Sequence, residues 1–212
     1  MSLTELLNVP DTQRDVLWER RFFDAVISSK LKVLSADPQQ GPDGWPYLMT
    51  ETSLEATEPA PKILNWLATR GIGLVVNPGK KSYPDYVFNY GMVWHFKETN
   101  LFVRPQDEVP AGAVDIAPAT GLHAGAPTKE YLPDYVRTIL REFFRDQNLL
   151  AVKILVMSQD RKHYDLAFSL ESLGNPPEKE FEGISQAIAW FLPTHYSLIL
   201  VSEKGLPPFV NL

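Results

Sequence analysis

Histidines are the side chains of this chain best suited to acid–base or metal chemistry near neutral pH. None of them stands in the i, i+4 or His-x-His spacing that places two ligands on one metal ion. The chain also has no cysteine, which excludes thiolate nucleophiles, disulfides, iron–sulfur clusters and thiolate zinc sites. We therefore expect no metal and no cofactor. The four histidines are His95, His123, His163 and His195.

A catalytic alternative remains open in the form of a histidine paired with a carboxylate. His95 or His123 with Asp85 or Asp115 would serve a hydrolase or transferase that works without cysteine. No Gly-x-Ser-x-Gly elbow occurs, and acidic clusters such as the one at 178–182 stand where a helix begins and its dipole favours negative charge. Because no set of nucleophile and base is visible, we expect no catalytic residue.

The triplet Asn77-Pro78-Gly79 follows a hydrophobic run and has two interpretations. It could turn backbone amides toward an anion, or it could simply end a strand. A phosphate-binding loop needs several glycines that lead into a helix, and no such sequence follows here. The pattern favours a strand stop, with Gly79 supplying the positive φ.

Aromatic residues are concentrated within about fifty positions of the first half. They could simply form a core, but strict alternation along strands cannot bury every ring, and rigid amphipathic rings on a surface are typical binding anchors. We therefore predict a partner-binding aromatic face. The predicted binding residues are Trp45, Tyr47, Asn77, Tyr86, Tyr90, Trp94 and His95, and the aromatic set also includes Trp66 and Tyr83.

In the first half, apolar periodicity and turn residues predict two helices and several strands. The alternating piece "DYVFNYGMVWHF" is predicted as one or two strands interrupted at Gly91, with His95 at a solvent-facing or edge position. Gly71 is the expected left-handed residue after the second helix. The elements are a helix at 11–29 with Val16 on its apolar side, strands at 31–35, 45–50 and 72–76, and a helix at 60–70.

The second half repeats a similar rhythm after a Pro/Ala/Gly-rich connection. With the strand-like "AVDI" at 113–116 included, its order is β-α-β-β-α-β, a ferredoxin-like pattern. The predicted fold class is α+β, with two small α/β-sandwich-like domains at 1–103 and 129–212 joined by residues 104–128. The further elements are a helix from Pro133, strands at 149–157 and 163–170, a helix that Pro193 ends, and a last strand at 195–202.

At this point the chain resembles the SseB family, the bacterial "enhanced serine sensitivity" proteins with an N-terminal and a C-terminal SseB-type domain. The resemblance is carried by "FFDAVISSKLKVL", "DGWPYLMTE", "ILNWLATRG" and "GIGLVVNPG", and then by "VDIAP", "YLPDYVRTILREFF" and the final "LPPF". The segment "GLHAGAPTKE" looks inserted, and the ribbon ending in "VWHF" is more aromatic than the family suggests. The resemblance implies a cytoplasmic accessory or regulatory protein with no assigned reaction.

Composition narrows the partner. A net charge of −6 and the lack of a lysine and arginine cluster argue against nucleic acid. No apolar run reaches the length of a membrane span, and no signal-peptide core opens the chain, so we expect a cytoplasmic protein that does not enter a membrane. A protein partner is the expected ligand, and pairing of the chain with itself as a homodimer is left open.

Overall fold

A computed structural model of the chain describes residues 1–79, 82–102 and 121–212. The chain divides into two compact units. The first unit comprises Met1–Pro105 with Leu192–Thr194, and the second comprises Gln106–Phe191 with His195–Leu212. Each unit has its own sheet and its own helices, so the predicted α+β class with two domains is confirmed. Among the described residues, no helix combines the length and hydropathy needed to cross a membrane.

Among its described residues, the first unit contains four α-helices and six strands, with a short 3₁₀ turn at Asp11–Gln13. Most of them lie close to the predicted positions, while the short first helix was not predicted. The helices are α1 (Leu3–Leu7), α2 (Val16–Ile27), α3 (Ala60–Ala68) and α4 (Tyr90–Thr99). The strands are β1 (Lys30–Val33), β2 (Gln39–Gln40), β3 (Pro46–Glu51), β4 (Glu58–Pro59), β5 (Gly73–Val76) and β6 (Tyr86–Phe88).

The sheet of the first unit has the order β4-β1-β3-β5-β6, with β2 added to β3. Strand β3 is antiparallel to β1 and parallel to β5, which α3 makes possible by crossing between them. Gly71 has the predicted left-handed φ, 70°, after α3. Phe22 and Phe23 of α2 contact Phe88 of β6, and Phe102 joins Phe88 to Phe96 of α4. These rings place α2 and α4 on one face of the sheet.

The prediction of strands through "NYGMVWHF" is wrong, because this piece is helix α4. Asn89 caps the helix, and its side chain accepts a hydrogen bond from the backbone N–H of Met92 at 2.8 Å. All five residues from Tyr90 to Trp94 are buried. A helix buried on nearly every side loses the polar stripe that usually reveals its period, so large residues at alternate positions resembled a strand. Gly91 accordingly lies inside a helix, at neither a hairpin nor a bulge.

The second unit contains two helices and five strands among its described residues. The predicted strand at 113–116 lies outside the described residues. The segment that looked like an insertion, at 121–130, instead supplies the first described strand of the unit. The elements are β7 (His123–Gly125), α5 (Asp134–Asp146), β8 (Lys153–Ser158), β9 (Asp165–Ser169), α6 (Phe181–Ala189), β10 (Ser197–Val201) and β11 (Val210–Asn211).

The strands of the second unit lie in the order β10-β9-β8-β11, and β7 also pairs with β8. The elements from β7 to β10 follow the order β-α-β-β-α-β, but β7 is not the predicted first strand at 113–116, which lies outside the described residues. A split β-α-β arrangement of the ferredoxin type would place the first strand inside the sheet, whereas β7 lies beyond β8. The sequence rhythm gives the order of elements along the chain, and it does not give their neighbours in the sheet.

Both units are built on one plan, which the sequence indicates only as a similar rhythm. A helix precedes an antiparallel hairpin, and a second helix then crosses to a strand parallel to the second hairpin strand. The elements α2, β1, β3, α3 and β5 thus correspond to α5, β8, β9, α6 and β10. The units differ in the last strand, since β6 joins β5 in the first unit and β11 joins β8 in the second.

The burial of α4 gives a direct test of the helix. Trp94 is 1% exposed, so Trp94→Ala should lower the free energy of unfolding by about 3–5 kcal/mol through lost contacts and the cavity left behind. Trp66 on α3 is 41% exposed and stacks on Arg70, so Trp66→Ala should cost less than about 1 kcal/mol. Urea unfolding followed by circular dichroism measures both values. Equal losses for the two variants would contradict the placement of Trp94 in the core.

Candidate functional site

The carboxyl ends of the parallel strands β3 and β5 meet at one edge of the first sheet, and β6 begins there. Ligand sites of open sheets often occupy this position. The chain leaves β5 at Asn77, whose φ of 54° is left-handed and whose backbone N–H donates to the carbonyl of Thr50 at 2.8 Å. Asparagine tolerates this conformation better than most residues. The triplet therefore ends the strand as predicted, although Asn77 supplies the positive φ rather than Gly79.

The side chain of Asn77 bonds to both neighbours of its strand. Its Oδ1 accepts from the backbone N–H of Thr52 at 2.8 Å, beyond the end of β3. Its Nδ2 donates to Oγ1 of Thr52 at 3.0 Å and to Oδ2 of Asp85 at 2.8 Å, next to β6. Asn77 and Asp85 are buried, with 1% and 6% exposure. One side-chain amide thus satisfies groups from two neighbouring segments of the chain.

Arg14 connects this edge to the N-terminal segment. Its guanidinium donates to the backbone carbonyls of Leu7, Val9 and Asp85, each at 3.1 Å. Nη1 also lies 2.9 Å from Oδ1 of Asp11, and Nη2 lies 3.9 Å from Oδ1 of Asp85. Charge-assisted bonds of this kind are among the stronger ones in proteins. The polar network of Arg14, Thr52, Asn77 and Asp85 therefore holds segments together and directs its groups at one another.

Three large apolar side chains are exposed close in sequence to this network, two of them at the start of α2 and one shortly before Asp85. Val16 and Leu17 are each 61% exposed, and Tyr83 is 54% exposed. The hydroxyl of Tyr83 donates to Oδ2 of Asp11 at 2.5 Å. Asp11 lies one short segment before Asp15, the residue that caps α2. The bond holds the exposed ring in one orientation. We name the set Val16, Leu17 and Tyr83 the Tyr83 surface.

Tyr86 lies beside the Tyr83 surface, half-buried against α2. Its hydroxyl donates to Oε1 of Glu19 at 2.9 Å, and its ring is 4.5 Å from that of Phe22. Burial raises the pKa of Glu19, and the hydroxyl of Tyr86 partly opposes that rise. Burial and the nearby carboxylate raise the pKa of Tyr86 strongly, and the bond to Asp11 raises the pKa of Tyr83. Both phenols stay protonated donors at neutral pH.

The structure separates the predicted aromatic face. Tyr47, Tyr90 and Trp94 are 3%, 0% and 1% exposed, so the expectation that they lie on the surface is wrong. Tyr47 packs across Gly73 of the neighbouring strand, and the hydroxyl of Tyr90 donates to the carbonyl of Ala68 at 2.6 Å. Alternation had suggested that some rings must face solvent, but a helix and a glycine make room for them inside.

Asn77 is also buried, with 1% exposure, so the expectation that it binds a partner at the surface is wrong, whereas the other three predicted residues keep partial access. Trp45 and Tyr86 are half-buried, and His95 is half-buried on α4 with its ring near Trp94. Tyr86 lies on the helix-covered face of the sheet, while Tyr47 lies on the opposite face. These rings therefore share no single surface. Among the predicted members, Tyr86 lies beside the Tyr83 surface.

The remaining histidines fall in different settings of the second unit. His123 accepts a bond from Nε of Arg161 at 3.0 Å, while its proposed partner Asp115 lies outside the described residues. In an exposed turn, the backbone N–H of His163 donates to Oδ1 of Asp160 at 2.8 Å and its ring Nδ1 lies 2.5 Å from Oδ2, and these two interactions lower the pKa of Asp160. Burial lowers the pKa of His195. Within the described ranges, no three His, Cys, Asp or Glu side chains gather as metal ligands would.

Sequence reasoning missed the role of three residues. Val16 was assigned to the apolar side of its helix, and Leu17 was not assigned. The sequence does indicate that Leu17 is exposed, because Leu17 shares one helical face with Arg21 and Asp24, which are both charged. Nothing in "DTQRD" indicates that Arg14 reaches carbonyls on three segments, since those partners are set by the tertiary fold.

No family model, curated protein or solved structure matches this chain. The class that the fold defines is a two-unit α+β protein with one repeated plan. The resemblance to the SseB family stays a prediction.

An isosteric substitution tests whether the side-chain amide of Asn77 donates to Asp85. Asn77→Asp would set a carboxylate oxygen against Oδ2 of Asp85 and should cost about 2–4 kcal/mol at neutral pH. A proton shared by the two carboxyl groups would relieve the repulsion, so the folded variant holds that proton more tightly than the unfolded chain does. The loss in free energy of unfolding should therefore shrink as pH falls. Asn77→Gly keeps the left-handed backbone and introduces no second carboxylate, so its loss should depend on pH less than that of Asn77→Asp. Equal pH profiles in thermal unfolding of the two variants would contradict this arrangement.

The raised pKa of Glu19 predicts a second pH effect. The folded state holds this proton more tightly than the unfolded chain, so stability falls as pH rises from about 4.5 through the raised pKa. Glu19→Gln keeps an acceptor for Tyr86 and should remove that slope, with a gain at pH 7 below about 1 kcal/mol because solvent screens the site. Tyr86→Phe should steepen the slope. Urea unfolding between pH 4 and 8, about the range of carboxyl titration, measures it. A wild-type profile in Glu19→Gln would refute the assignment.

Proposed function

We propose that this chain is a non-catalytic cytoplasmic accessory or regulatory protein that binds a protein partner through its first unit. The observation that carries the proposal is the Tyr83 surface, a set of three exposed side chains of which the aromatic one is held by a hydrogen bond to Asp11. The resemblance to the SseB family supports the same class of function. The proposed binding site is therefore smaller than the aromatic face predicted from the sequence, and it consists of the Tyr83 surface.

A fixed exposed tyrosine is well suited to recognition. A ring that is already oriented loses little conformational entropy when a partner covers it, and tyrosine is enriched among residues that dominate binding energy. Val16 and Leu17 open α2, so the helix holds their backbone rigidly. Their 61% exposure means that a partner could bury most of both side chains.

The adjoining polar network supports binding rather than bond-making at this edge. Arg14, Asn77 and Asp85 direct their polar atoms at one another and at backbone groups with ordinary hydrogen-bond lengths. A general base in a cleft would instead direct an atom toward a substrate. The network also stiffens the segment before α2, which keeps the Tyr83 surface in place for a partner.

The test is a capture experiment with the full chain as bait. Tyr83→Ala combined with Leu17→Asp should reduce the partner recovered from a native lysate at least about tenfold, because a hot-spot ring and a buried leucine each contribute about 2 kcal/mol. The matched control is Trp66→Ala, another exposed aromatic residue of the same unit. Quantitative mass spectrometry of the recovered proteins gives the ratio.

Two outcomes would reject the proposal. An unchanged set of captured proteins with the Tyr83/Leu17 variant would show that this surface binds nothing in the lysate. An equal loss with Trp66→Ala would show that the effect is not specific. Sedimentation velocity of the wild type then tells whether the recovered partner is a second copy of the chain.

A further inference from the structure

The second unit contains an open cavity of about 370 Å³ between strand β7 and the turn that leads into α5. We propose that this cavity binds a small planar molecule with one anionic group, of the size of an aromatic carboxylate. The inference does not depend on the proposed function of the first unit. The residues that carry the argument are His123, Gly125, Pro127, Tyr131, Val156 and Tyr164.

The wall of the cavity is held in place by hydrogen bonds, so the cavity exists before any ligand binds. Nη2 of Arg137 donates to the carbonyl of Pro127 at 2.6 Å, and Nε donates to the carbonyl of Leu132 at 2.9 Å. Oγ1 of Thr128 accepts from the backbone N–H of Tyr131 at 3.2 Å. Preformed sites avoid the entropy of ordering a loop on binding.

The floor is open because a glycine lies there. Gly125 ends β7 and pairs with Val156 of β8. A side chain added at Gly125 would meet no atom within 4 Å, and its φ is not left-handed. The strand could therefore carry a larger residue without strain, and such a residue would occupy the space that a flat ligand needs.

Positive charge lies at the rim of the cavity. Arg161 donates from Nε to Nε2 of His123 at 3.0 Å, and its Nη2 lies 3.3 Å from Nδ1 of the same ring. The hydroxyl of Tyr164 donates to the carbonyl of Arg161 at 2.9 Å, which holds the turn that carries the guanidinium. A guanidinium has five N–H donors, so the contacts with His123 leave donors for a carboxylate.

A tyrosine hydroxyl adds a second polar feature. Tyr131 lines the cavity and stacks on Tyr196, with ring centroids 4.5 Å apart. Its hydroxyl oxygen is buried and has no hydrogen-bond partner among the described residues. Buried hydroxyls in folded proteins nearly always find a partner. Burial also raises the pKa of Tyr131, so the side chain that lines the cavity stays uncharged.

These features together select the ligand class. The walls are mainly apolar, from Pro127, Val156 and the rings of Tyr131 and Tyr164, which favours a hydrocarbon or aromatic body. The cavity volume is at the lower end of the range for small-molecule sites, about 300–1,000 Å³. One cation at the rim matches one anionic group. A flat ring with a carboxylate meets all three conditions.

The experiment is a titration of the isotopically labelled full chain with 2-naphthoate, followed by amide chemical shifts. Saturable shifts should centre on residues 123–126, 128, 131, 156 and 164. The uncharged 2-naphthamide, of the same shape, should bind about tenfold or more weakly, since a hydrogen bond to a charged group contributes at least that factor. Gly125→Val should abolish binding while the melting temperature stays unchanged. The control Gly183→Ala, also in open space, should bind as the wild type does.

Arg161→Gln separates the charge from the shape of the site. This variant should weaken 2-naphthoate to the level of 2-naphthamide and leave 2-naphthamide unaffected. Lack of saturable binding by 2-naphthoate, shifts centred elsewhere, or undiminished binding by Gly125→Val would overturn the proposed site. Equal binding of the two probes to the wild type would overturn the anionic part of the ligand class.

Discussion

The bonds made by Asn77 fix the edge of the sheet on which the first unit is organised. Its backbone N–H bonds to the carbonyl of Thr50, and its side chain bonds to Thr52 and Asp85, so three neighbouring segments meet at one amide. Two requirements act on this position at once, a left-handed backbone and a side chain that both donates and accepts. Asparagine meets both. Asp85, held in this way, in turn fixes Arg14 and with it the segment before α2.

The repeated plan of the two units places polar clusters at equivalent edges. In the second unit, the carboxyl ends of the parallel strands β9 and β10 are joined by a bond of 2.6 Å from Oγ of Ser169 to Glu203. Lys153, at the start of β8, lies 3.2 Å from the same carboxylate. Parallel strands ending together leave unpaired backbone and side-chain groups, and each unit satisfies them with its own residues. These polar clusters therefore stabilise the edge of each sheet.

The two units have different features that a ligand could use. In the first unit most aromatic rings form the core, and a small exposed set remains beside the rigid polar network. In the second unit, Gly125 of β7 lines an open cavity and leaves space in it, because it has no side chain. Both features depend on stiff surroundings, since Asp11 orients Tyr83 and Arg137 holds the wall near Pro127. Rigid positioning favours recognition, because a partner or ligand need not supply the ordering entropy.

Much of the fold follows from the sequence, because apolar period and turn residues act locally. The α+β class, the two halves, the hairpin of β8 and β9, and the strand stop at Asn77 are readable from 3.6- and 2-residue periods and from glycine and proline. Helix α4 was not readable, because burial on nearly every side removes the polar positions that distinguish the two periods.

The sequence by itself determined which segments are apolar, where the chain turns and which chemistries lack their side chains. Only the tertiary structure decided that Trp94 lies in the core, that Arg14 reaches Asp85 across 71 positions, and that Gly125 opens a cavity. The physical reason is the range of the interactions. Local propensity acts over a few residues, whereas burial and hydrogen-bond partners depend on which distant segments the fold brings together.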